Sequence, residues 1–276
     1  MTKYMSKKPN MLSTVTPWDM VAEGYAETTM KLFRTYAEKA LEIADVCEES
    51  AILDVACGPG TLPLLVADKV KSVHAIDFSE LMIKQFKKTV YARGFDNIQI
   101  YCGDGQDLPF SDGMFDAAFS MFGLMFFPNR TQGYSEIYRT LKPGGKVVIS
   151  SWAPVSDSPV MQTMFGAIKA MKPEIPEPQT DVESLENPVF FKAELQDTGF
   201  KHVEIVSVEG EYPINNIEEF WTDMVKGSAP IVMMKQGMSP DDWKVKERIA
   251  LAYLSEKLLT LPTVLTAKAW LGYGVR

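Results

Sequence analysis

The sequence AILDVACGPG, residues 51–60, decides the fold. Its first five residues are mostly apolar, with Ile and Val among them, and the run ends in a turn that contains Gly58 and Gly60. Such a run is typical of a strand buried on both faces of a parallel sheet. The helical pattern over 62–70 follows directly and accepts Pro63 in its first turn. The order of strand, glycine turn and helix predicts a doubly wound α/β sheet.

The same alternation continues along the chain after this unit. Further strands are predicted at 73–77, 98–102, 115–120 and 146–150. Helices are predicted at 80–93, with Ser79 as N-cap, and at 132–141. Apolar residues at three- and four-residue intervals also predict one or two helices over 18–49. A sheet of this kind binds its ligands at the carboxyl ends of the strands, beside the point where the strand order reverses.

The second half of the chain is less regular. After Trp152 the alternation weakens, and the proline-rich connection 172–178 cannot continue a helix. The remaining predicted elements are a helix at 190–198, a strand at 199–208, helical sequence over 217–259 with breaks near 227–230 and 239–240, and a closing strand at 265–275. The helical stretch is therefore expected as an insertion between two strands.

Composition limits the class of protein and its partners. The chain has 276 residues, 46% of them hydrophobic, and a net charge of -8, which is typical of a globular protein with ample material for a core. An acidic chain without a Lys/Arg cluster argues against a nucleic-acid partner, because affinity for the phosphate backbone comes largely from cations. Its three cysteines are too widely spaced for a disulfide framework or a metal site and are expected as reduced thiols.

Neither a spanning nor a secretory segment is predicted. The longest nearly uncharged apolar stretch, 117–127, is well short of the roughly 20 residues that a transmembrane helix needs. The N-terminus has lysines but no apolar core or small-residue cleavage site behind them. We therefore expect a cytoplasmic protein.

The glycine turn and a later acid together predict a nucleotide-like ligand. Gly58 and Gly60 leave backbone N–H groups open where a strand becomes a helix. Asp77 follows 19 residues after Gly58, at the end of the next strand, where a carboxylate can accept both hydroxyl hydrogens of a ribose. A dinucleotide dehydrogenase uses the same devices, but its fingerprint needs Gly or Ala where this chain has Pro63.

The third predicted strand ends in a loop that suits adenine. There Asp104 could accept from an exocyclic amine while neighbouring backbone N–H groups meet ring nitrogens. The alternative is that Asp104 only caps a turn of its own loop.

Five segments together resemble the class I S-adenosylmethionine-dependent methyltransferases, in the small-molecule group that includes the quinone-biosynthesis C-methyltransferases. They are DVACGPG at 54–60, AIDFS at 75–79, GDGQDLPF at 103–110, FDAAFS at 115–120 and LKPGGKVVIS at 141–150. The resemblance covers about 50–152, with weaker support to 212. It implies a Rossmann-like, mostly parallel sheet of seven strands flanked by helices, with the last strand antiparallel. The expected divisions are an N-terminal helical cap at 1–49, a cofactor-binding domain at 50–212, a helical insertion or lid at 213–262 and the closing strand at 263–276.

The resemblance also implies which residues bind the cofactor, S-adenosylmethionine, and retain its product, S-adenosylhomocysteine. The turn 54–60 would lie against the methionine part, Asp77 would bind the ribose, and Asp104 would read the adenine edge. The full set is Tyr25, Asp54, Ala56, Cys57, Gly58, Pro59, Gly60, Asp77, Phe78, Ser79, Met82, Asp104, Gly105, Gln106, Ser120, Met121 and Phe122. Ala56 stands where this family usually has the first of three glycines.

The expected chemistry is an in-line displacement that moves a methyl group to a small aromatic or apolar acceptor. Alignment and exclusion of water can supply most of the acceleration, so no catalytic residue is assigned, and His74 and His202 are expected as structural or surface strand residues. The apolar stretch 121–127 is either a pocket wall or ordinary core. Trp221 and Met224 of the insertion are candidates for a lid or for helix packing.

Two other functions stay open at this point. One is a catalytically silent module that binds S-adenosylmethionine, and the other is a nicotinamide oxidoreductase. The sequence predicts no metal site, and it leaves the acceptor atom and the oligomeric state open.

Overall fold

A computed structural model of the chain describes residues 10–178 and 181–276. It contains one seven-stranded sheet in the order β3-β2-β1-β4-β5-β7-β6. The strands are β1 (Ala51–Val55), β2 (Ser72–Asp77), β3 (Ile98–Cys102), β4 (Phe115–Met121), β5 (Leu141–Trp152), β6 (Lys201–Ile214) and β7 (Thr263–Val275). The first five pair in parallel, and β7 runs antiparallel to both β5 and β6. This confirms the predicted fold class.

Ten α-helices flank and extend the sheet within the described ranges. They are α1 (Thr16–Gly24), α2 (Met30–Ala44), α3 (Pro63–Val66), α4 (Glu80–Arg93), α5 (Arg130–Thr140), α6 (Pro159–Met171), α7 (Pro188–Thr198), α8 (Ile217–Gly227), α9 (Ala229–Gln236) and α10 (Pro240–Lys257). A π-helical segment, Tyr25–Thr29, joins α1 to α2. Short 3-10 turns lie at Met11–Ser13, Ala67–Lys69, Leu124–Phe126 and Val155–Asp157.

The central strand β1 is apolar on both faces because both faces are covered. Leu53 packs in the core beneath α5 and α7, whereas Ile52 packs on the other side with α2 and α3. Both side chains are fully buried. This two-sided burial explains why residues 51–55 show no alternation of polar and apolar positions.

Helices α8, α9 and α10 form the insertion between β6 and β7, as the sequence predicts. They share a second core with α6, which includes Trp221, Trp243 and Met171. Helix α6 was not predicted from the sequence. Its buried residues Val160, Ala167, Ile168 and Met171 have helical spacing, but the segment is apolar on most sides, so the period was hidden.

The N-terminal helices lie against the main sheet and the insertion. Helix α1 packs on α4 and α9, and α2 packs on β5 and β6. In the described ranges no helix combines the length and the apolar character needed to cross a bilayer. The prediction about an N-terminal leader and the start of the cap at 1–49 concern residues 1–9, which lie outside the described residues, as do residues 179–180 of the expected cofactor-binding domain.

Candidate functional site

A cavity of about 210 Å³ opens where β1, β2 and β4 end. The glycine turn after β1 forms one side, and the loops after β2, β3 and β4 form the others. The N-terminal segment covers it with Leu12, Trp18 and Tyr25. The cavity therefore lies at the edge of the sheet that the topology predicts for a ligand, because β1 and β4 flank the reversal of strand order.

The turn after β1 requires glycine at positions 58 and 60 for two different structural reasons. Gly58 has φ +53°, and a Cβ built on it would meet nothing within 4 Å, so the main chain is open towards the cavity it lines. Gly60 has φ +90°, but a Cβ there would lie 2.3 Å from the ring of Phe86. Gly58 thus leaves room for close approach to the main chain, whereas Gly60 lets α4 pack beneath the turn.

Asp77 ties the end of β2 to this turn. Its Oδ2 accepts the N–H of Gly58 at 2.8 Å, and its Oδ1 accepts the N–H of Ser79 at 2.9 Å. The carboxylate is 6% exposed and lines the cavity. Burial raises its pKa to about 6, the nearby Asp19 adds to the rise, and the backbone donors oppose it.

Asp54, at the end of β1, is a buried carboxylate with one oxygen that lacks a hydrogen-bond partner among the described residues. It lines the cavity at 2% exposure, and the oxygen concerned is Oδ1. Burial raises its pKa well above the ordinary value, and Asp77 adds to the rise. An unpaired buried oxygen of this kind is costly, so the site favours a ligand that brings a cation or hydrogen-bond donors.

Asp104 is held by its own loop. Its Oδ1 accepts the backbone N–H of Gln106 at 2.9 Å and the Gln106 side-chain amide at 3.1 Å. The same amide accepts the N–H of Asn129 through Oε1 at 2.9 Å, which joins the loops after β3 and β4. The turn-capping alternative is therefore present, and the carboxylate also lines the cavity.

Phe122 forms a strained aromatic wall after β4. It has φ +57°, a left-handed conformation that is uncommon for a bulky residue. Its N–H donates to the Oγ of Ser150 at 2.8 Å, and its ring stacks at 4.2 Å from Trp152 and 4.8 Å from Phe33. Because such strain persists only where the surroundings fix it, the ring is held firmly in the cavity wall.

The roof of the cavity is attached to the loop after β4. Ser13 donates through Oγ to the carbonyl oxygen of Phe126 at 2.6 Å, and Trp18 donates through Nε1 to the carbonyl oxygen of Leu12 at 2.9 Å. These bonds pair the side-chain polar groups of Ser13 and Trp18 within the protein. Burial raises the pKa of Tyr25, with a further rise from Asp77, so its phenol stays neutral.

Fourteen of the predicted cofactor-binding residues line the cavity. They are Tyr25, Asp54, Ala56, Cys57, Gly58, Pro59, Asp77, Phe78, Met82, Asp104, Gly105, Gln106, Met121 and Phe122. Gly60, Ser79 and Ser120 do not line it. Ser79 caps α4 by accepting the N–H of Met82, and Ser120 accepts the N–H of Leu124, so both side chains work behind the wall.

Other lining residues were not on the predicted list. They are Leu12, Ser13, Trp18, Phe33, Ala37, Thr61, Leu62, Ile76, Gly103, Gly123, Phe126, Phe127 and Pro128. Gly123, Phe126 and Phe127, with Met121 and Phe122, support the wall interpretation of 121–127, although Leu124 is fully buried core. Neither His74 nor His202 lines the cavity. Among the described residues no group of three or more His, Cys, Asp or Glu side chains could hold a metal ion.

Comparisons with known proteins agree with this geometry. Residues 52–145 match the model of a methyltransferase domain family. The ubiquinone/menaquinone biosynthesis C-methyltransferase UbiE of Geotalea daltonii is 29% identical over 223 residues, 74% of this chain and 92% of that protein. The demethylmenaquinone methyltransferase of Clavibacter sepedonicus is 35% identical over 156 residues, 54% of this chain and 61% of that protein.

A solved structure shares the fold. Phosphoethanolamine N-methyltransferase 2 of Haemonchus contortus, solved with phosphomonomethylethanolamine and S-adenosylhomocysteine, superposes with a TM-score of 0.53 at 17% identity, covering 87% of this chain and 52% of that one. The family model covers the glycine turn, Asp77 and Asp104, the three features that the sequence predicts for the cofactor. These matches favour methyl transfer over the nicotinamide alternative. Residues 52–145 are therefore similar to a methyltransferase domain, within a chain that shares the fold of this solved methyltransferase.

Proposed function

We propose that the cavity binds S-adenosylmethionine with its methionine part against 54–60, its ribose on Asp77 and its adenine between Phe78, Met82 and the loop after β3. The observation that carries this proposal is the unpartnered Oδ1 of Asp54 beside the open face of Gly58. The methionine part carries an ammonium group and the sulfonium, which bring hydrogen-bond donors and positive charge to the buried Asp54, while the ribose hydroxyls meet Asp77. When bound, this cofactor supplies an activated methyl group.

The acceptor is a small aromatic molecule. Trp18, Phe33, Phe122 and Phe126 line the cavity, and the polar groups of Ser13 and Trp18 are already bonded within the protein. A flat ring can stack on such a wall at little entropic cost, whereas a charged aliphatic acceptor would lose its hydration there without compensation. The names of the two relatives, which refer to ubiquinone and menaquinone, support an acceptor with a quinone-like ring.

The protein contributes to the reaction by orienting the acceptor and by excluding water. The stacked side chains of Phe122, Trp152 and Phe33 fix one wall, so an acceptor ring bound there has few orientations. The roof, which is bonded to Phe126, excludes water from the space beside it. Tyr25 stays neutral and can donate its phenolic hydrogen to an oxygen of a bound ligand.

The helical parts outside the central domain act as cap and lid. In this proposal the cap 1–49 covers the cofactor, the domain 50–212 binds it, and the insertion 213–262 supports the cap before the closing strand 263–276. Helix α9 packs against α1 through Ala229 and Val21, which supports a lid that moves with the cap.

Two glycine variants test the cofactor site. Gly58→Ala places a methyl group in the open space of the cavity, and Gly94→Ala places one in open solvent at the end of α4. Both positions have positive φ, +53° and +71°, so both variants should lose about 1 kcal/mol of stability. We expect calorimetry to show S-adenosylhomocysteine binding at least about tenfold weaker in Gly58→Ala only, since that loss corresponds to about 1.4 kcal/mol. Equal affinities in the two variants would rule out the proposed placement.

An acceptor panel tests the second part of the proposal. Purified protein and methyl-labelled S-adenosylmethionine are incubated with hydroxylated naphthalenes, simple phenols and aliphatic amines. Label transfer to the ring compounds is expected, and transfer to aliphatic amines alone would contradict an aromatic acceptor. Cofactor binding without transfer to any ring compound would favour the catalytically silent alternative.

A further inference from the structure

The cap helix α1 reaches the cofactor carboxylate through one serine. Ser79 donates its hydroxyl hydrogen to Oδ1 of Asp19 in α1 at 2.6 Å, and its backbone N–H donates to Oδ1 of Asp77 at 2.9 Å. The same hydroxyl accepts the N–H of Met82 at 3.1 Å. Ser79 is completely buried and Asp19 is half-buried, so water has limited access to these bonds.

The contact to Asp19 is short because it is charge-assisted. Hydroxyl-to-carboxylate bonds of about 2.6 Å are stronger than those between neutral groups. Asp19 also faces the first turn of α4, where the helix dipole favours a negative charge. One side chain therefore fastens the cap to the segment that orients Asp77.

Asp19 places a second negative charge close to Asp77. The other titratable groups that act on Asp77 or feel its charge are Tyr25 of the π-helical segment, Asp54 of β1, Cys57 of the glycine turn and Cys102 of β3. Asp19 is the member of this set that acts from α1, and it is absent from the lining of the cavity. Its hydrogen-bonded connection to the cavity runs through Ser79 to Asp77.

We propose that Asp19 is a positioning residue for the cofactor, which fastens helix α1 of the cap through Ser79 to the segment that orients Asp77. This inference rests on the proposed contact between Asp77 and the ribose. Cap closure and cofactor affinity are then coupled, because both depend on the same hydrogen-bonded group.

The charge is tested by the pH profile of binding. Asp19→Asn keeps an oxygen that can accept from Ser79 but removes the charge, and Glu23→Gln removes an exposed charge from the same helix as a control. Affinity for S-adenosylhomocysteine, measured by calorimetry from pH 5 to 8, should fall as Asp77 gains a proton. In Asp19→Asn the midpoint should move down by about half a pH unit, giving about threefold tighter binding than wild type at pH 5. A midpoint that stays with that of Glu23→Gln would overturn the inference.

The hydrogen bond between Ser79 and Asp19 is tested by measuring hydrogen exchange in α1 and the dissociation rate of the ligand. Asp19→Ala removes the acceptor of the Ser79 hydroxyl, so amides of residues 16–24 should exchange hydrogen faster and S-adenosylhomocysteine should dissociate faster than from Glu23→Ala. Unchanged exchange and dissociation would mean that the bond does not hold the cap.

A third variant separates this inference from the proposed function. If Asp77→Asn binds S-adenosylhomocysteine as tightly as wild type at pH 8, the ribose contact is wrong and the inference fails with it. If Asp77→Asn binds weakly while Asp19→Asn leaves the midpoint unmoved, the ribose contact stands and the role of Asp19 alone is refuted.

Discussion

Ser150→Ala is expected to release the strained wall residue Phe122. The Oγ of Ser150 accepts the N–H of Phe122 at 2.8 Å, and both residues are buried. The neighbouring Ser151 is almost as buried, and its hydroxyl donates weakly, at 3.5 Å to the sulfur of Met125 and 3.4 Å to a carbonyl oxygen. Ser151→Ala therefore removes the same atom from the same strand without taking the acceptor from a backbone N–H.

The two variants should differ clearly in stability. In Ser150→Ala a buried N–H loses its partner, which costs about 1–3 kcal/mol. The left-handed conformation of Phe122 already costs roughly 1–2 kcal/mol, so without the bond its backbone has a reason to relax. We expect a loss of about 2 kcal/mol for Ser150→Ala and less than about 0.5 kcal/mol for Ser151→Ala.

Thermal and urea unfolding measure this difference. For a chain of this size about 2 kcal/mol corresponds to a fall of roughly 4–8 °C in Tm. A midpoint shift in urea without a change of slope would show that stability, and not the compactness of the unfolded state, has changed. The reasoning is refuted if the two variants unfold within about 0.5 kcal/mol of each other, since the bond to Phe122 would then hold nothing in place.

Three further outcomes follow from the structure. Ala56 has φ +57°, so Ala56→Gly should stabilise the fold by about 1 kcal/mol in urea unfolding, and a lower midpoint would count against strain in the turn. Cys47 and Cys102 are exposed, whereas Cys57 is buried and its pKa is raised, so Ellman's reagent should titrate two thiols in the native protein and three in denaturant. The pKa of Asp77 in the folded protein is about 6, above its ordinary 3.8, so its protonation favours folding and this contribution is lost as pH rises through about 6. The free energy of unfolding of wild type minus that of Asp77→Asn should therefore be about 2 kcal/mol larger at pH 4 than at pH 7. The same difference at both pH values would refute the raised pKa of Asp77.

The strands and the charged site residues were readable from sequence because each has a local signal. Strand β1 and helix α4 have the predicted bounds, since a doubly buried run and an N-cap serine mark them without reference to distant residues. Asp77 was found by its position at a strand end and its spacing from Gly58. Such signals depend on neighbours in the chain, so sequence suffices.

The roof and wall of the cavity depend on contacts that sequence does not encode locally. Ser13 and Phe126 are 113 positions apart in the sequence, and Phe33 and Phe122 are also far apart in the sequence although their rings are in contact. The sequence around Ser13 or Phe33 therefore gives no sign that the residue lines the cavity. The positive φ of Phe122 could not be predicted either, because a left-handed conformation is normally expected only at glycine or asparagine. These residues became visible only once the topology had brought the cap over the ends of β1 and β4.

Several features that cost the free protein stability line the cavity proposed for the cofactor. An unpartnered oxygen on Asp54, a buried Asp77 with a raised pKa and two left-handed residues, Ala56 and Phe122, all lie around one cavity. Each opposes folding of the free protein, and a cationic ligand that meets the carboxylates would offset the electrostatic part. A sheet edge built only for stability would lack these features, so their coincidence argues that the cavity is shaped for a positively charged cofactor and that binding stabilises the chain as a whole.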